Sequence, residues 1–148
     1  LDGGKCVVGV ESTIVNLTNK PTLLRLGGLD ISKINKVLRK KILINVNPKK
    51  KITSGQSNFH YSPGIPLKMN IKKPKKNEAF ILIKKRKINS DNYYYLSKKK
   101  NLNEAAKNLY LCLRKIKNKN YKSIAVEKIP NKGLGKTIND RLRRASKF

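Results

Sequence analysis

Between Leu102 and Ile116 the residues Leu102, Ala105, Ala106, Leu109, Cys112, Leu113 and Ile116 recur at three- and four-residue spacing, which is one apolar face of a helix. Asn101 and Glu104 stand where a capping-box-like start would need them. The runs "AFILI" (79–83) and "YYYLS" (93–97) precede this helix, "SIAVEKI" (123–129) follows it, and all three read as strands. A final helix is expected over 136–146, burying Ile138, Leu142 and Ala145. Strands alternating with helices predict an α/β domain with a partly parallel sheet.

The first part of the chain repeats the theme on a smaller scale. Lys5–Asn16 is β-rich, and "PTLLRL" forms a neighbouring strand after a turn at Thr18–Lys20. Gly27 and Gly28 break the pattern, and their freedom lets the backbone approach another group closely. "DISKINKVLRKK" then places Ile31, Ile34, Val37 and Leu38 at helical spacing behind a cap at Asp30 or Ser32, and "ILINV" reads as a short strand. From Asn47 to Pro66 the chain turns polar and carries Pro48, Gly55, Pro63, Gly64 and Pro66, a linker composition. The expected organisation is a first unit over 1–47, a linker over 48–66 and a second unit over 67–148.

A net charge of +28 on 148 residues ordinarily points to nucleic acid. Of the 36 basic residues, however, 29 are Lys, a residue that A/T-rich codons supply along with Asn and Ile. A solvated lysine face is therefore the favoured reading, and a basic RNA-binding module without catalysis is the alternative. Cys6 and Cys112 fit no metal spacing, and no apolar run approaches the ~20 residues that span a bilayer. The chain opens at Leu1 without a secretion signal, so a soluble, cytoplasmic, C-terminal fragment of a longer protein is expected.

The stretch "EKIPNKGLGKTIND" resembles a phosphate-cradling P-loop, G-x-x-x-x-G-K-[ST]. Pro130 occupies the place of the first glycine, and proline lacks the N–H that such a loop aims at phosphate. The stretch reads instead as a loop entering a helix, with Thr137 as N-cap and Asp140 three residues on.

The eight acidic residues are scattered singly, so paired-carboxylate or two-metal chemistry has no support, and no metal site is expected. Ser12 and Thr13, read as mid-strand, should point their hydroxyls to opposite sides. Arg25 ends the second strand just before the glycine pair, where an anion would make it a fork-shaped clamp. His60 and Tyr61 sit in the linker.

Three motifs, in order, resemble one family. "LDGGKCVVGVESTIVNLTNKPTLLRLGG" is similar to the second half of a YrdC-type domain, with its D-G-G, G-x-E-S-T-I-V-D-L-T and L-R-P-G-G patterns. "SGQSNFHYSPGIPL" resembles the linker of that family, and "EKIPNKGLGKTINDRLRRAS" its closing motif P-x-x-G-L-G-x-A-I-N-D-R-L-R-R-A-A. The family is the two-domain L-threonylcarbamoyl-AMP synthase. The resemblance implies an incomplete YrdC-type α/β domain over 1–47, lacking its first half, followed by the linker and a small Rossmann-like α/β accessory domain.

It also implies a nucleotidyltransferase reaction. L-Threonine and bicarbonate form a carbamate that attacks the α-phosphorus of ATP, with Mg²⁺ assisting, to give threonylcarbamoyl-AMP and pyrophosphate. A tRNA-modifying transferase complex then uses the product to make threonylcarbamoyladenosine in tRNA, and a weak tRNA contact is possible. Carried onto this sequence, the resemblance assigns L-threonine binding to Ser12 and ATP binding to Arg25, His60 and Tyr61, with the His60–Tyr61 pair closing over the cleft. The fragment alone is expected to be inactive. Leu26 and Ser54 replace prolines of the family pattern and should loosen the loops that hold Arg25 and the linker.

Overall fold

The computed structural model of the chain describes residues 7–50, 52–56, 61–88 and 90–146. Cys6, His60 and the beginning of the first expected strand lie outside them. The architecture is α/β and contains two sheets.

The larger sheet is parallel throughout. It contains β4 (Leu67–Lys68), β5 (Glu78–Leu82), β6 (Tyr93–Tyr95) and β7 (Ser123–Val126) in the order β4-β7-β5-β6. Parallel neighbours cannot be joined by a tight turn. The chain accordingly returns from β6 to β7 through α2 (Leu102–Lys117), and α3 (Leu134–Ala145) follows β7. Alternation along β5 and β7 sends Ala79, Ile81, Ile124 and Val126 into the core that α2 and α3 cover with Leu109, Ile116, Ile138 and Leu142. Phe80, Leu82 and Ala125 face the other way, against Ile71, Tyr93 and Tyr95.

Helix α2 begins where expected. The Asn101 side chain accepts from the N–H groups of Asn103 and Glu104. Glu104 does not return the bond as a capping box would; its carboxylate accepts from the Ser97 hydroxyl at 2.6 Å and from the Lys98 N–H. Cys112 is buried on the α2 face, and burial pushes its thiol up to about 12, so it behaves as a small hydrophobe.

The smaller sheet has the order β1-β2-β3: β1 (Ile14–Asn16) runs antiparallel to β2 (Thr22–Arg25), and β2 runs parallel to β3 (Leu43–Ile44). Helix α1 (Ile31–Leu38) bridges β2 and β3, with Asp30 as its N-cap accepting from the Ser32 N–H at 2.8 Å. Leu23, Ile31 and Ile42 form its small core.

Two expectations are corrected. The first strand is confined to Ile14–Asn16, so Ser12 and Thr13 precede it rather than sitting mid-strand. Upstream the backbone is turned by Gly9 at φ +71°, and the Glu11 carbonyl is taken by the Gly28 N–H at 2.9 Å. The helix after "NKG" begins at Leu134, with Gly133 as N-cap at φ +50° and no side-chain cap. Thr137 therefore lies inside α3, where its hydroxyl donates to the Gly27 carbonyl at 2.9 Å.

The segment before β1 and the linker pack onto the core of the larger sheet, while the smaller sheet keeps its own cluster. Val8, Val10 and Tyr61 pack into the cluster beneath α2, and a Cβ on Gly9 would stand 2.4 Å from the Lys107 Cα. Burial along α2 predicts a sharp contrast. Leu109→Ala should lower unfolding free energy by about 2–5 kcal/mol, whereas Leu111→Ala, on the exposed face, should stay within about 0.5 kcal/mol. Urea denaturation of the two variants checks it, and equal losses would contradict the facing of α2.

Candidate functional site

Arg25 closes β2 and is buried. Its Nε donates to the Ser12 carbonyl at 3.0 Å and Nη2 to the Ser12 hydroxyl at 3.0 Å. Nη1 donates to the Ser54 carbonyl at 3.2 Å and to the Ser54 hydroxyl at 3.1 Å. One guanidinium thus joins the segment before β1 to the linker. The position where looser geometry was expected, Ser54, is tied down by two bonds, and the Leu26 carbonyl is likewise held, accepting from Arg141 at 2.7 Å.

The glycine pair explains how these segments come so close. A Cβ on Gly27 would lie 2.2 Å from the Ser12 carbonyl carbon and the Thr13 nitrogen, so only glycine fits there. The close approach is therefore to the chain's own "EST" segment. The hydroxyls of Ser12 and Thr13 do diverge: Ser12 meets Arg25, and Thr13 bonds both the carbonyl and the N–H of Leu29.

Glu11 is the second node. Its carboxylate accepts from the Tyr61 hydroxyl in a short bond, from the Tyr110 hydroxyl at 3.0 Å and from Arg141 Nε at 3.0 Å. Burial favours the neutral carboxyl, but the Tyr61 hydroxyl, backbone donation and Arg141 together outweigh it and hold Glu11 down at about 2. Burial and the same carboxylate push Tyr61 up to about 12 and raise Tyr110 as well. Near neutral pH Glu11 is charged and both phenols are neutral donors, so the trio holds geometry and does not change protonation state.

Tyr61 reaches this place with φ +124°, a conformation L-residues seldom adopt. Its ring stacks on Tyr110 at 5.4 Å and under the Arg141 guanidinium at 5.1 Å. Its hydroxyl would be 2.9 Å from a Cβ on Gly55, and the Arg25 Cδ 3.2 Å from the same point, so Tyr61 and Arg25 flank one glycine. Of the four residues assigned by resemblance, Ser12, Arg25 and Tyr61 are brought together; His60 lies outside the described residues.

Reading each residue in isolation left out what fastens this cluster. Arg141, fully buried, binds Glu11, Asp140 and the Leu26 carbonyl. Burial disfavours its charge, but Glu11 and the surrounding groups more than compensate and raise its pKa. Arg144 binds Asp140 at 3.1 Å, the Gln56 carbonyl at 2.9 Å and the Val46 carbonyl at 2.7 Å. Buried Gln56 in turn donates to the Leu24 carbonyl at 2.9 Å. Two of the eight acidic residues, Glu11 and Asp140, far apart in sequence, meet here on one arginine. The sequence signal was the run "NDRLRR", of which Asp140, Arg141 and Arg144 lie on the helix face that meets the first segments, while Arg143 is exposed.

A cleft of about 630 Å³ lies beside the cluster, between the Gly9–Glu11 backbone, Tyr61–Pro63 and α2. It touches Glu11 and Tyr61, but neither Ser12 nor Arg25 lines it, so it neighbours the guanidinium site and is not its mouth. Among the described residues no three of His, Cys, Asp and Glu come together as metal ligands.

Residues 29–147 match the family model described as threonylcarbamoyl-AMP synthase, C-terminal domain. The chain belongs to this family. A curated threonylcarbamoyl-AMP synthase of Pyrococcus abyssi is 30% identical across 100% of this chain and 49% of its own length. A crystal structure of Pyrococcus abyssi Sua5 complexed with L-threonine superposes with a TM-score of 0.81 at 29% identity, covering 98% of this chain and 48% of that one. A variant structure of that protein, with an adjacent His and Tyr both replaced by Ala, gives 0.77 at 27% identity, covering 98% and 47%. The chain therefore spans about half the length of these relatives. Among its described residues no helix is long and apolar enough to cross a membrane.

The Glu11 shift predicts a pH signature. A carboxyl whose pKa falls on folding adds stability above its unfolded value near 4.5, and that stability is lost as pH drops toward 2. Glu11→Gln should therefore be less stable than the parent at pH 7, and the gap should shrink steadily from pH 5 to pH 2. Urea denaturation across that range measures it, and a gap independent of pH would contradict the assignment.

Proposed function

We propose that this chain supplies the threonine- and phosphate-contacting strands, the linker and the accessory domain of an L-threonylcarbamoyladenylate synthase. The reaction is adenylyl transfer: the carbamate made from L-threonine and bicarbonate attacks the α-phosphorus of ATP, giving threonylcarbamoyl-AMP and pyrophosphate. The product serves threonylcarbamoyladenosine formation in tRNA through a downstream transferase complex, and the cytoplasm is the compartment this role assigns.

The observation that carries the proposal is the Ser12–Arg25–Ser54 knot with Tyr61 beside it. Adenylyl transfer depends on aligning two anions and stabilising charge more than on an acid/base pair. A guanidinium presents the planar fork that phosphate needs, and Ser12 offers an adjacent hydroxyl for the amino acid. L-Threonine is the ligand of the Pyrococcus abyssi Sua5 crystal structure, and the His–Tyr pair replaced in its variant has the residue types of His60–Tyr61. In the arrangement here the linker holds Arg25 through Ser54, so an arriving phosphate would exchange with Ser54 as the linker repositions.

Among the described residues, seven of the nine exposed large apolar side chains, Val7, Leu17, Leu29, Val37, Leu43, Ile44 and Ile52, fall in the first 52 residues. A groove of about 410 Å³ runs between β1 and α1 among them. Their exposure fits a first unit completed by the half of the synthase that this chain's match does not span. The described residues near the site do not fit a Mg²⁺ centre: the Glu11 oxygens are engaged by two tyrosines and an arginine, and no carboxylate cluster stands by among the described residues.

In the full-length synthase, Arg25→Ala should lower threonine- and bicarbonate-dependent pyrophosphate release about 10- to 100-fold, the worth of a charge-assisted contact, and Ser12→Ala should raise KM for L-threonine. Unchanged rates would refute these roles. His60→Ala should increase loss of the adenylate to water, seen as AMP formed without intact product.

A further inference from the structure

A cluster of cationic side chains, separate from Arg25, gathers at the carboxyl end of the larger sheet. After β5, Arg86 sets its guanidinium over the Phe80 ring on one face of the sheet, whereas from β7 the chain enters α3, which packs Ile138 on the other face. Loops leaving two adjacent parallel strands toward opposite faces open a crevice at the carboxyl end of the sheet, the place where open α/β sheets bind ligands. That crevice exists here, with a volume of about 420 Å³. Three loops wall it: Lys84, Lys85, Arg86 and Lys87 after β5, Lys100 after β6, and Lys128 after β7.

Its one acidic group is already spent. The Glu127 carboxylate accepts from the Ile83 N–H and pairs with Arg86 at 3.0 Å. Among the described residues the five lysines have no acidic partner. Lysines on a convex surface are solvated separately, but a concave wall of one sign focuses its field on whatever enters. We propose that this crevice binds an oligophosphate, either the phosphate chain of a nucleoside triphosphate or an inorganic oligophosphate. Its volume suits a small molecule, within the ~300–1,000 Å³ of typical ligand sites, and six of its nine lining residues are cationic while two, Ile83 and Pro130, are apolar. The site does not rest on the synthase reading, since none of its residues belongs to the Ser12–Arg25 cluster.

Calorimetric titration of the chain with tripolyphosphate, ATP and adenosine tests it. Tripolyphosphate and ATP should both bind, more weakly as salt rises, and adenosine should not; a preference between the first two tells whether a nucleotide or an inorganic chain is the source. Lys85→Gln/Lys100→Gln/Lys128→Gln, one change from each loop, should weaken binding at least tenfold with an unchanged melting temperature. Lys72→Gln/Lys73→Gln/Lys76→Gln, on the loop before β5, should change it less than twofold. Equal losses in the two triple variants would show diffuse charge only and overturn the site. Loss in Arg25→Ala with retention in the first triple variant would move the anion to the other cluster. Binding of single-stranded RNA that tripolyphosphate fails to displace would assign the crevice to a polymer and overturn the small-ligand proposal.

Discussion

One buried carboxylate and two buried guanidinium groups hold this fold in its functional shape. Asp140, Arg141 and Arg144 lie on a single face of α3, and the contacts of the two arginines reach Glu11, Leu26, Val46, Asn47 and Gln56, all in the first segments or the linker. Buried ion pairs rarely add net stability, because desolvation cancels much of the attraction. What they impose is direction. Each N–H must meet its acceptor, and a buried charge left unpaired costs several kcal/mol, so the first segments have one placement against α3 and few near alternatives.

The candidate site inherits its precision from that placement. The Leu26 carbonyl that Arg141 holds is one residue from Arg25, and Glu11, which Arg141 also binds, is one residue from Ser12. Fixing these two neighbours fixes the distance between the guanidinium and the hydroxyl. Gly27 permits the backbone contact that results, and Gln56 carries the same constraint into the linker through the Leu24 carbonyl. Tyr61 is clamped between Tyr110 and Arg141 on the far side. The polar face of α3 thereby sets the geometry of a candidate site built from the first segments and the linker.

The sequence disclosed the periodic parts of this arrangement. The α2 face, the Asn101 and Asp30 caps and the strands around 79–83, 93–97 and 123–126 follow from spacing and local chemistry, which need no tertiary knowledge. Ser12 and Arg25 stood out from local chemistry, but their roles, and that of Tyr61, were legible only through a motif resemblance. The α3 network was not legible from periodicity at all: Asp140, Arg141 and Arg144 look like solvated helix positions, and only a partner surface distant in sequence turns them inward. Thr137 misled for the same reason, since a threonine near a helix start reads as a cap until the Gly27 carbonyl is found opposite it. The shortened β1 reflects a competition that alternation cannot show, in which the Glu11 carbonyl is drawn from any ladder to the Gly28 N–H.

Amide hydrogen exchange on the chain carrying Arg141→Met measures the central dependence directly. The Gly28 N–H, bonded to the Glu11 carbonyl, reports the joint between the first segments, and the Ile124 and Glu127 amides report the parallel sheet. If α3 dictates the site, protection at Gly28 should fall by at least an order of magnitude while Ile124 and Glu127 keep theirs. Undiminished protection at Gly28, or an equal loss at all three amides, would contradict it.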